Sequence, residues 1–201
     1  AGQVWRIIEN LGEGRFKAIP RNKLSFQFDQ LGEFSQKQML EQAEEFAEKW
    51  SNLFGYKESV AVASGTSADI GSLMALYDHG AKRGDEVIIP ALAWISVLNA
   101  PLAAAFNPVF VDIERETLNI NPKKIEEKIT PRTKAIMPVH TMGKPCEMDT
   151  IMEIAKKHKL YVIEDSCEAH GAKYKERFVG NWGDMAVVSF FFAQLVWGGV
   201  G

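Results

Sequence analysis

Two cysteines in 201 residues, Cys146 and Cys167, are too few for a disulfide framework or a cysteine-based metal site. Basic residues are not in excess either. Lys and Arg total 23 against 26 Asp and Glu, a net charge of −3, which speaks against a nucleic-acid scaffold with its basic face. Long apolar runs are also lacking. The longest, Ala91 to Phe106, is interrupted by Ser96, Asn99 and Pro101 and is too short and too polar to span a bilayer. No charged-then-apolar leader opens the sequence, and a cytoplasmic location is expected. There is no internal repeat, low-complexity tract or flexible linker. What is present is an ordinary globular balance, 46% hydrophobic and 24% charged. A compact unit of this length buries roughly 70% of its unfolded surface, so a core is available without staples.

The first 33 residues carry turn signals (Gly12, Gly14, Pro20, Gly32) and little periodicity, which predicts an irregular arm. Met39, Leu40, Ala43, Phe46, Ala47, Trp50 and Leu53 then form a helical stripe between Phe34 and Phe54, with Ser35 as N-cap and Gly55 as stop. Residues 1–55 thus read as arm plus helix, and 56–201 as the main domain. In the latter, short apolar runs alternate with helical patterns. Strands are expected at Ser59–Ala63, Glu86–Pro90, Pro108–Ile113, Lys134–Val139, Leu160–Glu164 and Met185–Phe190. Helices are expected from the Gly65 turn to near Gly80, over Trp94–Phe106, after the Asn121-Pro122 cap, and over Met148–His158. Nearly continuous apolar strands between helices predict an α/β domain, a mostly parallel sheet covered on both faces.

In such sheets ligands bind beyond the carboxyl ends of the strands. Three segments there carry chemistry. Ser64-Gly65-Thr66-Ser67-Ala68 is a small-residue turn opening a helix, suited to an anion, yet neither a Walker loop nor a dinucleotide glycine motif. Glu164-Asp165 ends a buried strand, where a carboxylate needs a partner. Ser189 follows the apolar Met185–Val188 run. Taken singly these read as a helix cap, a cap or salt bridge, and a core polar group. Together with Trp94 on a separate strand-end loop, they supply what pyridoxal phosphate requires: an anion cradle, an acid for the ring nitrogen and an aromatic for the ring face.

At these residues the chain resembles the DegT/StrS family of pyridoxal-phosphate sugar aminotransferases, which share the aspartate-aminotransferase (fold type I) architecture. The likeness runs through Ser64–Ala68, Pro90-Ala91-Leu92-Ala93-Trp94, Pro138-Val139-His140-Thr141-Met142-Gly143, Glu164–Gly171, and Gly183-Asp184-Met185 leading into Ser189-Phe190. The resemblance implies that Asp165 pairs with the pyridine nitrogen and Trp94 stacks on the ring. It implies that Gly65, Thr66 and Ser189 hold the phosphate. Glu168 falls where the family usually has Gln near the ring hydroxyl. His140 reads as a satisfied strand-end histidine. A nucleotide-linked keto-hexose substrate, a homodimer and a smaller carboxy-terminal domain beyond residue 201 are likewise implied.

One position departs from the pattern. The family's cofactor-binding lysine falls at residue 194, which is Gln194 here, and Val200 replaces a family glutamate. A primary amide is neither nucleophile nor base near neutral pH, so pyridoxal or pyridoxamine phosphate is expected to be held non-covalently. The family's sugar 3-dehydratases also lack the lysine but carry histidine there. Ser67-Ala68-Asp69 and Cys167 lean towards that branch. Two readings stay open: an enzyme that transaminates or dehydrates its sugar, or a catalytically silent homologue that keeps the cofactor cradle.

Overall fold

The computed structural model describes residues 8–10, 16–18 and 33–191. The chain divides into two compact units, Ala1–Lys49 and Trp50–Gly201. In the first, β1 (Ile8–Asn10) and β2 (Phe16–Ala18) pair antiparallel. This hairpin replaces the irregular arm expected there, because strands of three residues are too short to show a period. Helix α1 (Glu33–Phe54) begins two residues before Ser35, so that residue lies inside the helix and is not its cap. It stops where expected, at Gly55, whose φ of +72° is a left-handed conformation that glycine adopts without strain.

The second unit contains α2 (Gly65–Ala75), β3 (Glu86–Pro90), α3 (Ile95–Ala103), β4 (Asn107–Val111), β5 (Thr133–Ile136), α4 (Met148–His158) and β6 (Tyr161–Asp165). A two-residue hairpin, β7 (Lys173–Tyr174) with β8 (Arg177–Phe178), precedes β9 (Met185–Val187). Five strands form one parallel sheet in the order β4-β3-β5-β6-β9.

Successive side chains of a strand face opposite sides, and the two cores follow this parity. Val87, Ile89, Ala135, Met137 and Ile163 pack with Leu73 and Leu76 and with Val97 and Ala100 of α3. Ile88, Ile136 and Val162 pack instead with Met148, Ile151 and Ala155 of α4. Helices α2 and α3 therefore cover one face and α4 the other.

Two expected elements differ. Ser59–Ala63 is not a strand: it is irregular, with Val60 83% and Val62 50% exposed. A strand exists only as part of a hydrogen-bonded pair, and among the described residues none pairs with this run. After Asn121-Pro122 there are two short 3₁₀ turns, Pro122–Lys124 and Glu126–Lys128, in place of an α-helix. Asn121 does cap, its Oδ1 accepting from the Lys123 N–H at 3.0 Å. Pro131 disfavours helical backbone at Thr130, and the segment before it is too short to repay helix nucleation.

Candidate active site

Glu164 and Asp165 are adjacent, so strand parity sends their side chains to opposite faces of the sheet. Glu164 is fully buried. Its carboxylate accepts from the backbone N–H groups of Gly180 (2.8 Å), Trp182 (2.7 Å) and Gly183 (2.6 Å), and from His140 Nε2 at 3.0 Å. His140 Nδ1 accepts from the Cys146 N–H at 3.0 Å, so the ring proton resides on Nε2 and is donated to Glu164. Burial acts to raise the Glu164 pKa, but the His140 bond and the backbone donors outweigh it and hold it below the ordinary value. Gly183 is required by close approach: a Cβ there would lie 2.6 Å from the Val162 carbonyl oxygen. Glu164 thus fastens the β8–β9 loop to β6, and both it and His140 are structural.

Asp165 faces the α2 side. It is 4% exposed, and its Oδ1 accepts from the Cys167 N–H at 3.0 Å. Burial raises its pKa against the lowering by the Cys167 hydrogen bonds. Cys167 links it to the start of α2, because a Cβ on Gly65 would sit 3.4 Å from Cys167 Sγ, 3.0 Å from Ser189 Cβ and 3.3 Å from Ser189 Oγ. The start of α2, the end of β6 and the segment after β9 therefore meet at one edge of the sheet. Burial, and then the charge of Asp165, pushes the Cys167 thiol far up, so it remains protonated.

The anion-binding character of the α2 start follows from its cap. Ser64 is extended (φ −164°, ψ 164°), and its Oγ accepts from the Ser67 N–H at 3.0 Å. First-turn N–H groups have no partner within the helix, so those of Gly65 and Thr66 remain for a ligand at the positive end of the dipole. Trp94 caps α3 just beyond β3 and is 64% exposed, its ring open to a ligand or another surface. Glu168 Oε2 accepts from the Met142 N–H at 2.6 Å, which ties this acid to the loop after β5. Gln194 lies outside the described residues.

Sequence reasoning passed over one buried acid. Asp69, a turn into α2, is fully buried, and the Ser96 hydroxyl is the neighbour that favours its charged form, though at no close hydrogen-bond geometry. Its signal was available: it is the single charged residue in Gly65–Ala75. Among the described residues no group of His, Cys, Asp and Glu could hold a metal ion, and no helix is long and apolar enough to cross a membrane.

The arrangement suits a phosphate ester at one end, against a glycine where a side chain would fill the space, and a cationic heterocycle at the other, against a buried acid. Residues 27–200 match the DegT/DnrJ/EryC1/StrS aminotransferase family. The chain belongs to that family. It is 43% identical over 157 residues to GDP-perosamine synthase of Caulobacter vibrioides, covering 78% of this chain and 42% of that protein. A solved GDP-4-keto-6-deoxymannose-3-dehydratase with bound GDP-perosamine is similar at 32% identity and a TM-score of 0.71, covering 76% of this chain and 40% of its own. The E. coli GDP-4-keto-6-deoxy-D-mannose-3-dehydratase with bound hydrated PLP gives 32% identity and a TM-score of 0.66, over 70% and 37%. The chain spans about two fifths of the length of these relatives. Its α/β fold is that of the fold type I sugar aminotransferases.

Proposed function

We propose that this chain forms the cofactor-binding part of a pyridoxal-phosphate enzyme that acts on a nucleotide-linked keto-hexose in deoxy- or amino-sugar biosynthesis. The observation that carries this reading is the meeting of Asp165 and the Gly65 turn on one sheet edge, joined through Cys167. Its relatives include a sugar aminotransferase and a 3-dehydratase.

In this reading the N–H groups of Gly65 and Thr66 and the Ser189 hydroxyl take the phosphate. Asp165 keeps a proton on the ring nitrogen, and Trp94 covers a ring face. Glu168 stands near the ring hydroxyl with one oxygen already held by Met142. The bound group supplies an electron sink for breaking bonds at the sugar carbon joined to it. Gln194 cannot form the covalent link or act as base, so the chain retains the cofactor by these contacts alone, and transamination or lysine-less dehydration requires another group to move the proton. A second copy of the chain is proposed as partner. Leu92, Ile95, Met142, Phe190 and Phe191 are exposed apolar side chains suited to being covered.

The experiment is turnover of nucleotide-linked 4-keto-hexoses with pyridoxamine phosphate or glutamate, with sedimentation for the oligomeric state. An amino-sugar product supports transamination and a 3-deoxy product dehydration. Neither product, with cofactor still bound, leaves the silent homologue. A monomer at micromolar concentration removes the partner.

A further inference from the structure

Both ring nitrogens of His170 are buried and neither has a hydrogen-bond partner, although a neutral imidazole carries one N–H that a covered site ordinarily satisfies. What surrounds the ring is aromatic. Trp50, in the last turn of α1, meets it edge to face, 5.7 Å between centroids and 79° between planes. Phe190, after β9, lies 5.5 Å away at 32°. Trp50 and Phe190 also touch each other, at 4.8 Å and 83°. The rings close a triangle whose corners come from separate segments of the chain.

This triangle adjoins the site through two of its corners. His170 belongs to the loop that leaves β6 at Asp165 and passes Cys167. Phe190 directly follows Ser189, whose Cβ would stand 3.0 Å from a Cβ on Gly65. Packed interiors transmit strain, so a ring removed or altered in the triangle is felt by the residues attached to it.

We propose that His170 is a positioning residue for the phosphate: its uncharged ring, held against Trp50 and Phe190, fixes the adjoining Ser189 hydroxyl beside the Gly65 turn, and uptake of a proton releases that segment. The proposal rests on the pyridoxal reading above. From α1 the group facing His170 is the Trp50 indole, and from the segment after β9 it is the Phe190 ring; neither titrates or carries a charge. Burial holds the His170 pKa below the ordinary 6.5, and among the described residues no charge contributes. Phenylalanine would fill the same space with no polar atom to satisfy. Histidine adds the capacity to become a cation, in a place where neither nitrogen meets an acceptor among the described residues.

Two measurements on the full chain test this. The first is proton NMR of the histidine rings across pH. The signal lost in His170→Phe should titrate with a midpoint below 6.5, and the Phe190 ring signals should move through the same midpoint. A midpoint at or above that value, or Phe190 signals indifferent to it, overturns the proposal.

The second is pyridoxamine phosphate affinity by fluorescence for the original chain, His170→Phe and His170→Ala. At pH 7.5 the Phe variant should bind within about threefold of the original, and the Ala variant about tenfold more weakly. The ratio of original to Phe variant should fall severalfold by about pH 5.5, because only the original takes up the proton. Titration of the ligand and of Asp165 is common to both chains and cancels. A merely structural histidine would leave that ratio constant, and a constant ratio overturns the proposal even where His170→Ala does not fold. Inorganic phosphate serves as a second probe. If its binding follows the same pattern while pyridoxamine phosphate binds no tighter than phosphate, the His170 assignment stands and the pyridoxal reading fails. If pyridoxamine phosphate binds tightly and equally to the original and the Phe variant at every pH, the pyridoxal reading stands and the His170 assignment fails.

Discussion

The His140 ring donates its Nε2 proton to Glu164 Oε2 across 3.0 Å, with both side chains fully buried. Three backbone donors complete the shell of Glu164. Removing its charge leaves those groups facing a poorer acceptor, and Glu164→Gln is expected to cost roughly 3 kcal/mol in denaturant unfolding. The pH dependence has a definite sign. The folded carboxyl is held below its ordinary 4.5, so its stabilisation is present above that value and lost as pH falls through the folded pKa. The acid limb of stability should be shallower in Glu164→Gln.

Asp69 acts in the opposite direction. Its folded value of about 8 lies above that of the unfolded chain. From the ordinary carboxylate range up to about pH 8, the unfolded chain gives up this proton while the folded chain keeps it, so stability falls as pH rises. Asp69→Asn should flatten this decline and raise the melting temperature of the ligand-free chain most at alkaline pH. An unchanged slope in urea unfolding across pH 5–8 would contradict it.

Two glycines should separate binding from folding. A Cβ at Gly183 meets backbone, the Val162 carbonyl oxygen at 2.6 Å, so Gly183→Ala should destabilise the chain by about 1–3 kcal/mol. A Cβ at Gly65 meets Ser189 at 3.0 Å, beside the proposed phosphate position. Gly65→Ala should weaken pyridoxamine phosphate binding about tenfold, or 1.4 kcal/mol, with a small change in melting temperature. Calorimetry of both variants, with and without ligand, checks the contrast.

Asp165→Asn removes the proposed partner of the ring nitrogen. A charge-assisted hydrogen bond contributes about 1.5–3 kcal/mol, so affinity should fall roughly 10- to 100-fold. The ligand-free chain should become more stable at neutral pH, since a buried carboxyl with a raised pKa is replaced by a neutral amide.

Treatment with pyridoxal phosphate and borohydride should leave the peptide containing residue 194 at its unmodified mass. Gln194→Lys should convert it to the reduced cofactor adduct, read by mass spectrometry. An adduct at another lysine of the site in the original chain would displace Gln194 from its assigned position.

Alternation of apolar runs predicted the layered α/β order, and α4 matches the expected Met148–His158 because an amphipathic period and a left-handed terminus are local properties. The resemblance, carried by motifs in order along the chain, named Gly65, Thr66, Trp94, Asp165 and Ser189. Strand parity, also local, already implied that Glu164 and Asp165 face opposite ways. Which face holds the site was not legible, because it depends on where α2 packs. Ser59–Ala63 has the composition of a strand yet is irregular, since pairing is a property of two segments. Only the tertiary structure separated a satisfied Glu164 from an under-partnered Asp165 and Asp69. Burial and neighbouring charge decide the state of a carboxyl, and both come from residues distant in sequence.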